Sequence, residues 1–237
     1  MTLIEHLEEL RARLFKIVIA FAVGATGCWF LYDPILAFLV GPLERLPVAE
    51  EILRRGQLIV TSPAEAFFVR LKVVSFSALV VALPVVLWQL WRFVAPGLYS
   101  HEKRYAVPFV VVAMALFGVG VALAFATLPT ALVFLNAFAG SRVVLFPRAT
   151  EYLSFVLLLV GAFGVTFEFP LILLALSLVG VLSSAKLRKG RRFAWILILI
   201  VAAVITPTAD PITQLVLSIP LALLYEGTIL AARLMKR

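Results

Sequence analysis

Long apolar runs separated by short polar segments dominate this sequence and constrain its fold more than any other feature. Hydrophobic residues make up 63% of the 237 residues and charged residues only 14%, against about 45–50% and 25% in soluble domains. A water-soluble fold cannot hide that much apolar surface, whereas a run of about 18 apolar residues can cross a bilayer as a helix. The sequence therefore predicts an all-α membrane protein.

Six apolar segments can be delimited, and they organise residues 1–237 as a single polytopic membrane domain. Their even number places both termini on the same side of the membrane. The predicted spans are 14–31, 70–93, 105–138, 151–182, 193–206 and 212–232.

A short amphipathic helix over residues 1–13 precedes the first span, because Leu3, Leu7 and Leu10 fall on one helical face. A cleaved signal peptide is the competing interpretation. The acidic residues ahead of the apolar run disfavour a basic leader, and the stretch that ends at Cys28 only weakly resembles a lipoprotein cleavage site. We therefore expect the first apolar run to be retained as a span.

The second span begins with a strong helix-start signal. Ser62 is predicted as the N-cap, Pro63 as the first helical residue and Glu65 as the acidic residue of the first turn. A helix from there to Phe93 is about 46 Å long, which exceeds a hydrocarbon core of about 30 Å. Such a helix must tilt within the membrane or project beyond it. The preceding segment, residues 32–61, is rich in proline and predicts a long loop with short amphipathic turns.

The last two spans are predicted to be short at their outer end. A strongly basic loop, residues 186–192, precedes the fifth apolar run, which starts at Phe193 and reaches Thr206 after only 14 positions. That run gives about 21 Å of helix. A tight turn through residues 207–211 leads into the sixth span, so thinning of the bilayer or oligomerisation must relieve the mismatch.

The distribution of Lys and Arg predicts the orientation. Of the 21 basic residues, 14 fall on the side that holds both termini, and five of the other seven belong to the long region 32–72. Because the positive-inside rule is weak for long loops, both termini are predicted to be cytoplasmic.

The composition excludes several kinds of chemistry. A single cysteine, Cys28, cannot form an intramolecular disulfide, and two histidines, His6 and His101, provide neither a His-Glu-x-x-His zinc motif nor a catalytic triad. No Gly-x-Ser-x-Gly motif occurs. The sequence therefore predicts no enzyme, no metal and no cofactor. The net charge of +8 sits in short clusters between spans, where it acts as a topology signal, so no nucleic-acid partner is expected.

Several short motifs follow one another along nearly the whole chain. They are His6-Leu-Glu-Glu-Leu-Arg-Ala-Arg-Leu14, Phe93-Val-Ala-Pro-Gly-Leu-Tyr99 followed by His101-Glu102, Ser154-Phe155, Gly164-Val-Thr-Phe-Glu-Phe-Pro170, and Thr206-Pro207 followed by Asp210 and Gln214. Such motifs in one order are far more specific than any of them alone. By these residues the chain resembles the TatC family, the signal-recognising subunit of the twin-arginine protein translocase.

The resemblance implies a six-span protein of the bacterial inner (plasma) membrane with both termini cytoplasmic. It implies binding of twin-arginine signal peptides on the cytoplasmic face and export of folded proteins driven by the proton-motive force. The implied partners are TatA- and TatB-like single-span subunits, further copies of the chain in a homo-oligomeric receptor complex, and the lipid bilayer.

Two carboxylates are the candidate groups that bind the arginine pair of the signal peptide. Glu9 and Glu102 lie at the edges of spans on the predicted cytoplasmic side, and a partly buried carboxylate can accept a guanidinium in bidentate geometry. Exposed pairs are worth only about 0–1 kcal/mol. The alternatives are an i, i+4 partner of Arg13 for Glu9 and a helix-dipole acid for Glu102. The resemblance adds five residues that shape the recognition surface: Leu10, Arg11, Phe93, Pro96 and Tyr99.

Two acidic residues fall inside predicted spans. Glu168 lies near the middle of the fourth span, where a charged carboxylate costs about 2.5–3.5 kcal/mol on insertion scales, so it should face protein or water. The alternatives are a neutral acid bonded to a neighbouring helix and a group that contacts partner helices or admits water. Glu226 in the last span presents the same problem more weakly, because it lies closer to the cytoplasmic end.

Polar residues at the outer end of the last two spans are candidate contacts for a partner helix. Thr206, Asp210 and Gln214 offer hydroxyl, carboxylate and amide groups, and interhelical hydrogen bonds in membranes are worth about 0.6–2 kcal/mol. The alternative is that they only cap the tight turn.

Two other function classes are compatible with parts of the sequence. A proton-coupled small-solute transporter would also place a carboxylate at the midplane, but no second copy of the Glu168 segment is visible, as inverted repeats would require. An intramembrane hydrolase lacks any catalytic constellation.

Overall fold

The fold was described from a computed structural model, which describes residues 3–44, 58–94, 106–137, 148–178, 180–206 and 211–234. Within these ranges the chain is helical apart from short connections and an isolated parallel bridge between Ile59 and Arg148. The helices are α1 Leu3–Phe30, α2 Tyr32–Glu44, α3 Pro63–Val94, α4 Ala106–Ala137, α5 Ala149–Leu178, α6 Ser184–Lys189, α7 Arg191–Ile205 and α8 Pro211–Leu234. The predicted all-α architecture is confirmed.

Five of the described helices are long and apolar enough to cross a membrane, namely α1, α3, α4, α5 and α8, whose apolar stretches run from 24 to 31 residues. The helix α7 has 15 residues and is about 22 Å long, as expected for a short fifth span. Large apolar side chains cover the outer surfaces of these helices, which is the arrangement that hydrocarbon favours. The helices are consistent with six spans, and the chain is a multi-pass membrane protein.

The predicted start of the helix that contains the second span is confirmed. Ser62 precedes the first residue of α3, and its Oγ accepts a 3.1 Å hydrogen bond from the backbone N–H of Glu65. The helix has 32 residues, about 48 Å, so it exceeds the hydrocarbon core as predicted.

The prediction of a loop over residues 32–61 was wrong for its first part. Residues Tyr32–Glu44 form α2, an apolar helix. Pro34 lies in its first turn, where a backbone N–H has no helical partner to lose, and Pro42 lies in its last turn. The two prolines therefore lie near the two ends of the helix and do not prevent it from forming. The rest of the predicted loop, residues 45–57, lies outside the described residues.

The fourth span ends earlier than the predicted 151–182. The helix α5 ends at Leu178, and Gly180 has a φ of +82°, a conformation that glycine adopts without strain. The N–H of Val181 donates to the carbonyl of Leu176 at 3.0 Å. This hydrogen bond is typical of a Schellman cap, and the Gly180 signal explains the early end.

The predicted basic loop over residues 186–192 is largely helical. Ser183 caps α6 by accepting a hydrogen bond from the N–H of Lys186 at 3.3 Å, and Gly190 separates α6 from α7. The basic side chains therefore project from two short consecutive helical segments rather than from an irregular loop.

The described helices form two compact units. The first contains α1, the start of α2, α3 and the start of α4. Close packing of α1 on α3 is possible because Gly24 has no side chain: a Cβ there would lie 3.1 Å from the Ala78 carbonyl oxygen.

At one end of this first unit, the Arg70 guanidinium lies over the rings of Trp29 and Tyr32, at 4.6 and 4.7 Å from their centroids. It also donates to the Trp29 carbonyl at 3.0 Å. Burial raises the pKa of the Tyr32 phenol, and the nearby Arg70 charge partly opposes that shift. The stacked guanidinium joins α3 to the end of α1 and the start of α2.

The second unit contains the end of α2 and the rest of α4 together with α5 to α8. Helix α5 supplies the largest fully buried side chains among the described residues, Phe163 and Phe167. Glycines let α4 and α5 approach each other: a Cβ on Gly120 would lie 2.7 Å from the Phe163 carbonyl oxygen, and a Cβ on Gly164 would meet the Phe117 ring. Small residues at such contacts are typical of packed membrane helices.

Candidate functional site

Glu9 is held by its own helix. The Arg13 guanidinium donates to Glu9 Oε1, four residues away along α1. The Glu9 side chain is 21% exposed, and its Oε2 is buried and has no hydrogen-bond partner within the described residues. The i, i+4 pair that the sequence offered as an alternative is therefore present, and the second oxygen of the same carboxylate is a buried acceptor without a donor among the described residues.

The other residues of the predicted recognition surface are only partly visible. Leu10 and Arg11 are exposed on α1, and Phe93 is half-buried near the end of α3. Pro96, Tyr99 and Glu102 lie outside the described residues, so the pairing of Glu9 with Glu102 stays a prediction.

Glu168 lies on α5, about two thirds of the way along the helix, and is half-buried. Its Oε1 is shielded from solvent and has no hydrogen-bond partner within the described residues. An unpaired carboxyl oxygen at this depth is unfavourable unless another polar group reaches it.

Glu226 is paired. Its Oε2 accepts a 2.6 Å hydrogen bond from Nη2 of Arg191, which ties the start of α7 to α8. No sequence pattern predicts this pair, because the two residues are 35 positions apart and no local spacing joins them. The pair satisfies one oxygen, whereas Oε1 of Glu226 is buried without a partner among the described residues.

The polar residues at the far end of α7 and α8 have different roles. Thr206 is buried, and its Oγ1 donates to the Ala202 carbonyl at 2.9 Å, so it closes the end of its own helix. Gln214 instead donates from Nε2 to the Leu199 carbonyl at 3.2 Å and links α8 to α7. Asp210 lies outside the described residues.

Helix α7 presents a wide apolar surface. Ala202 is its buried residue, whereas Phe193 and Val204 are each 79% exposed. An apolar cavity of about 290 Å³ lies between α5, α7 and α8 and is lined by residues that include Phe169 and Leu197. Among the described residues, the edge formed by α7 is therefore mostly exposed and offers a large apolar surface to lipid or another helix.

The described residues contain no cluster of three or more His, Cys, Asp or Glu side chains that could hold a metal ion. The carboxylates of Glu9 and Glu226 pair with arginine and that of Glu168 is half-buried, so these three groups are suited to binding cationic or hydrogen-bonding groups.

The chain was compared with known proteins. The family model described as Sec-independent protein translocase protein (TatC) matches residues 5–220. A Sec-independent protein translocase protein TatC from Magnetococcus marinus is 41% identical over 237 residues, covering 99% of this chain and 85% of the relative. The protein of the same name from Frankia casuarinae is 40% identical over 233 residues, covering 95% of this chain but only 64% of the relative's length.

A solved structure is similar throughout. The crystal structure of the twin arginine translocase receptor TatC superposes with a TM-score of 0.77 at 36% identity, covering 98% of this chain and 100% of that one. These matches give no support to the alternative of a small-solute transporter. The fold, the ordered motifs and the matches over nearly the whole length agree, and the chain belongs to the TatC family of Sec-independent protein translocase proteins.

Proposed function

We propose that this protein is the receptor subunit of a twin-arginine translocase in a bacterial inner membrane, with both termini in the cytoplasm. The names of its relatives and the receptor description of the similar crystal structure support this function. The observation that carries it is the half-buried Glu9 carboxylate, which keeps one oxygen without a partner among the described residues. That oxygen lies within the motif that begins at His6.

The recognition step is an exchange of hydrogen bonds on a partly buried carboxylate. Glu9 Oε2 accepts a guanidinium N–H of the signal peptide while Arg13 keeps the side chain in place through Oε1. Glu102 accepts the second arginine. Partial burial matters, because exposed ion pairs contribute only about 0–1 kcal/mol, whereas charge-assisted bonds in shielded geometry are stronger.

Selectivity for arginine over lysine follows from the same geometry. A guanidinium is a planar fork that can reach a fixed oxygen while donating to neighbouring acceptors, whereas an ammonium is a compact point charge. The apolar positions Leu10, Phe93, Pro96 and Tyr99 receive the residues around the arginine pair, and Arg11 limits the approach of other cations.

Partner helices of TatA- and TatB-like single-span subunits dock along α7 and α8. The wide apolar surface of α7, the interhelical Gln214 amide and the predicted turn with Thr206 and Asp210 support this edge. Glu168 offers a carboxyl oxygen without a partner among the described residues to a polar group on such a helix or to water. The chain performs no covalent chemistry itself, and the proton-motive force drives export.

Transport of a folded reporter tests this function. Cells that lack their own receptor subunit and express this chain with its single-span partners should export a folded fluorescent protein that carries a twin-arginine signal. The same reporter with a twin-lysine signal should stay in the cytoplasm. Equal export of both reporters, or export of neither when all subunits are inserted, would contradict the proposal.

A further inference from the structure

A polar cavity, separate from the apolar cavity between α5, α7 and α8, lies at the end of α7 and α8 that is opposite to Gln214. It has a volume of about 440 Å³ and is bounded by α6, the first residue of α7 and the last turns of α8. Its lining includes the side chains of Ser184, Arg188, Arg191, Glu226 and Arg233. None of these residues belongs to the predicted signal-recognition surface around Glu9.

The charge of this cavity is unbalanced. Three arginines line it against the single carboxylate of Glu226. That carboxylate pairs with Arg191, whose side chain is 44% exposed. Arg188 and Arg233 are exposed and have no carboxylate partner among the described residues. Two guanidinium groups therefore line one cavity without an acceptor among the described residues, which is an arrangement that suits an oxyanion.

The surroundings of the cavity are those of a membrane surface. Leu230, which is 58% exposed, lies in the wall beside the arginines, and Leu234 is exposed one turn further along α8. Trp195 is exposed one turn into α7, and tryptophan is enriched where a helix crosses the headgroup level. The cationic groups and the apolar surface meet at this level, so an amphipathic anion fits better than a soluble one.

We infer that the cavity lined by Arg188, Arg191 and Arg233 binds the headgroup of an anionic phospholipid. The phosphodiester accepts hydrogen bonds from Arg188 and Arg233, and an acyl chain lies along Leu230 on the outer surface of α8. Basic cavities between membrane helices are known to hold phosphate headgroups of this kind. Glu226 restrains Arg191 and limits the net charge, so that the site holds one monoanionic phosphate.

Lipid binding to the purified, delipidated full chain tests the inference. Native mass spectrometry with phosphatidylglycerol and phosphatidylcholine of matched chains should show tighter binding of phosphatidylglycerol. The double variant Arg188→Gln/Arg233→Gln should lose about thirtyfold in phosphatidylglycerol affinity, since each of the two basic residues contributes about 1 kcal/mol near such a surface. The charge-matched control Lys189→Gln/Arg192→Gln, whose residues do not line the cavity, should stay within about twofold.

A variant that binds phosphatidylglycerol more tightly cannot owe its effect to a folding defect. Glu226→Gln releases Arg191 and removes the one acidic group that lines the cavity among the described residues, so it should tighten phosphatidylglycerol binding. Equal affinity for the two lipids, equal losses in the two double variants, or weaker binding by Glu226→Gln would overturn the inference. Competition by sn-glycerol 3-phosphate as effective as that by the whole lipid would also overturn it, because the site would then serve a soluble phosphate.

Discussion

The Tyr225 hydroxyl donates a 2.8 Å hydrogen bond to the Leu187 carbonyl, and both residues are buried. The bond joins α8 to α6, a helix of only six residues. So short a helix has little stability of its own. Its position depends on this bond and on the small cluster in which Leu187 and Tyr225 pack with Ile229 and Ala232.

Removing that hydroxyl should destabilise the protein. Tyr225→Phe keeps the packing but leaves a buried carbonyl without its donor, at a cost of about 1–3 kcal/mol. Thermal unfolding in detergent should therefore shift to lower temperature. The control Tyr32→Phe removes a hydroxyl that makes no hydrogen bond within the described residues and keeps the ring under Arg70, so it should unfold like the wild type. Matching losses in the two variants would argue against the assigned bond.

The contact between α4 and α5 should not tolerate a methyl group at Gly120. A Cβ there would lie 2.7 Å from the Phe163 carbonyl oxygen and 3.0 Å from its carbon, and these backbone atoms cannot move independently. Gly120→Ala should separate the helices and lower the unfolding temperature in detergent. At Gly118, two positions away, a Cβ meets nothing within 4 Å, so Gly118→Ala should be neutral. An unchanged unfolding temperature for Gly120→Ala would refute the close approach.

Local sequence signals predicted much of the fold, but they did not predict which distant residues pair with each other. Ser62, Pro63 and Glu65 marked the start of α3 correctly because a cap is formed by adjacent residues. Pro34 and Pro42 wrongly predicted a loop where α2 forms, since the effect of a proline depends on which turn of the helix it occupies. The pairing of Arg191 with Glu226 requires two helices to meet, and no spacing in the sequence reports that.

The candidate site shows the same division. The motif around Glu9 and the i, i+4 position of Arg13 were readable from the sequence, and the structure contains that pair. The sequence offered both a contact with a partner helix and a cap for Thr206 and Gln214. Only the packing of α7 on α8 assigned the Gln214 amide to the Leu199 carbonyl and left Thr206 to its own helix.

The orientation predicts which side chains are accessible from outside the cell. In a Cys28→Ala background, Lys189→Cys should resist a membrane-impermeant thiol reagent in intact cells and react after lysis, because the charge distribution predicts a cytoplasmic position for the basic cluster. Val60 lies between the predicted first and second spans, on the outer side if the N-terminus is cytoplasmic, so Val60→Cys should react in intact cells. Reaction of position 189 from the outer side would reverse the topology.

The partner edge can be tested at Gln214. Gln214→Leu removes the amide that reaches α7 and should weaken disulfide crosslinking of single-span partners, with little change in unfolding temperature, since such bonds average about 0.6 kcal/mol. The control Ser218→Ala loses a hydroxyl that bonds within α8 to the Gln214 carbonyl, and it should crosslink normally. Lower stability with full crosslinking would give Gln214 a structural role only.

Site-specific crosslinking of a twin-arginine signal peptide to the full chain in membranes tests the central claim, that the Glu9 carboxylate reads an arginine of the signal. Glu9→Ala should abolish the crosslink while the protein stays inserted, because the acceptor for the guanidinium is lost, and Glu102→Ala should do the same. Glu8→Ala removes an exposed carboxylate one position away and should leave the crosslink intact. Unchanged crosslinking in both Glu9→Ala and Glu102→Ala would contradict the account.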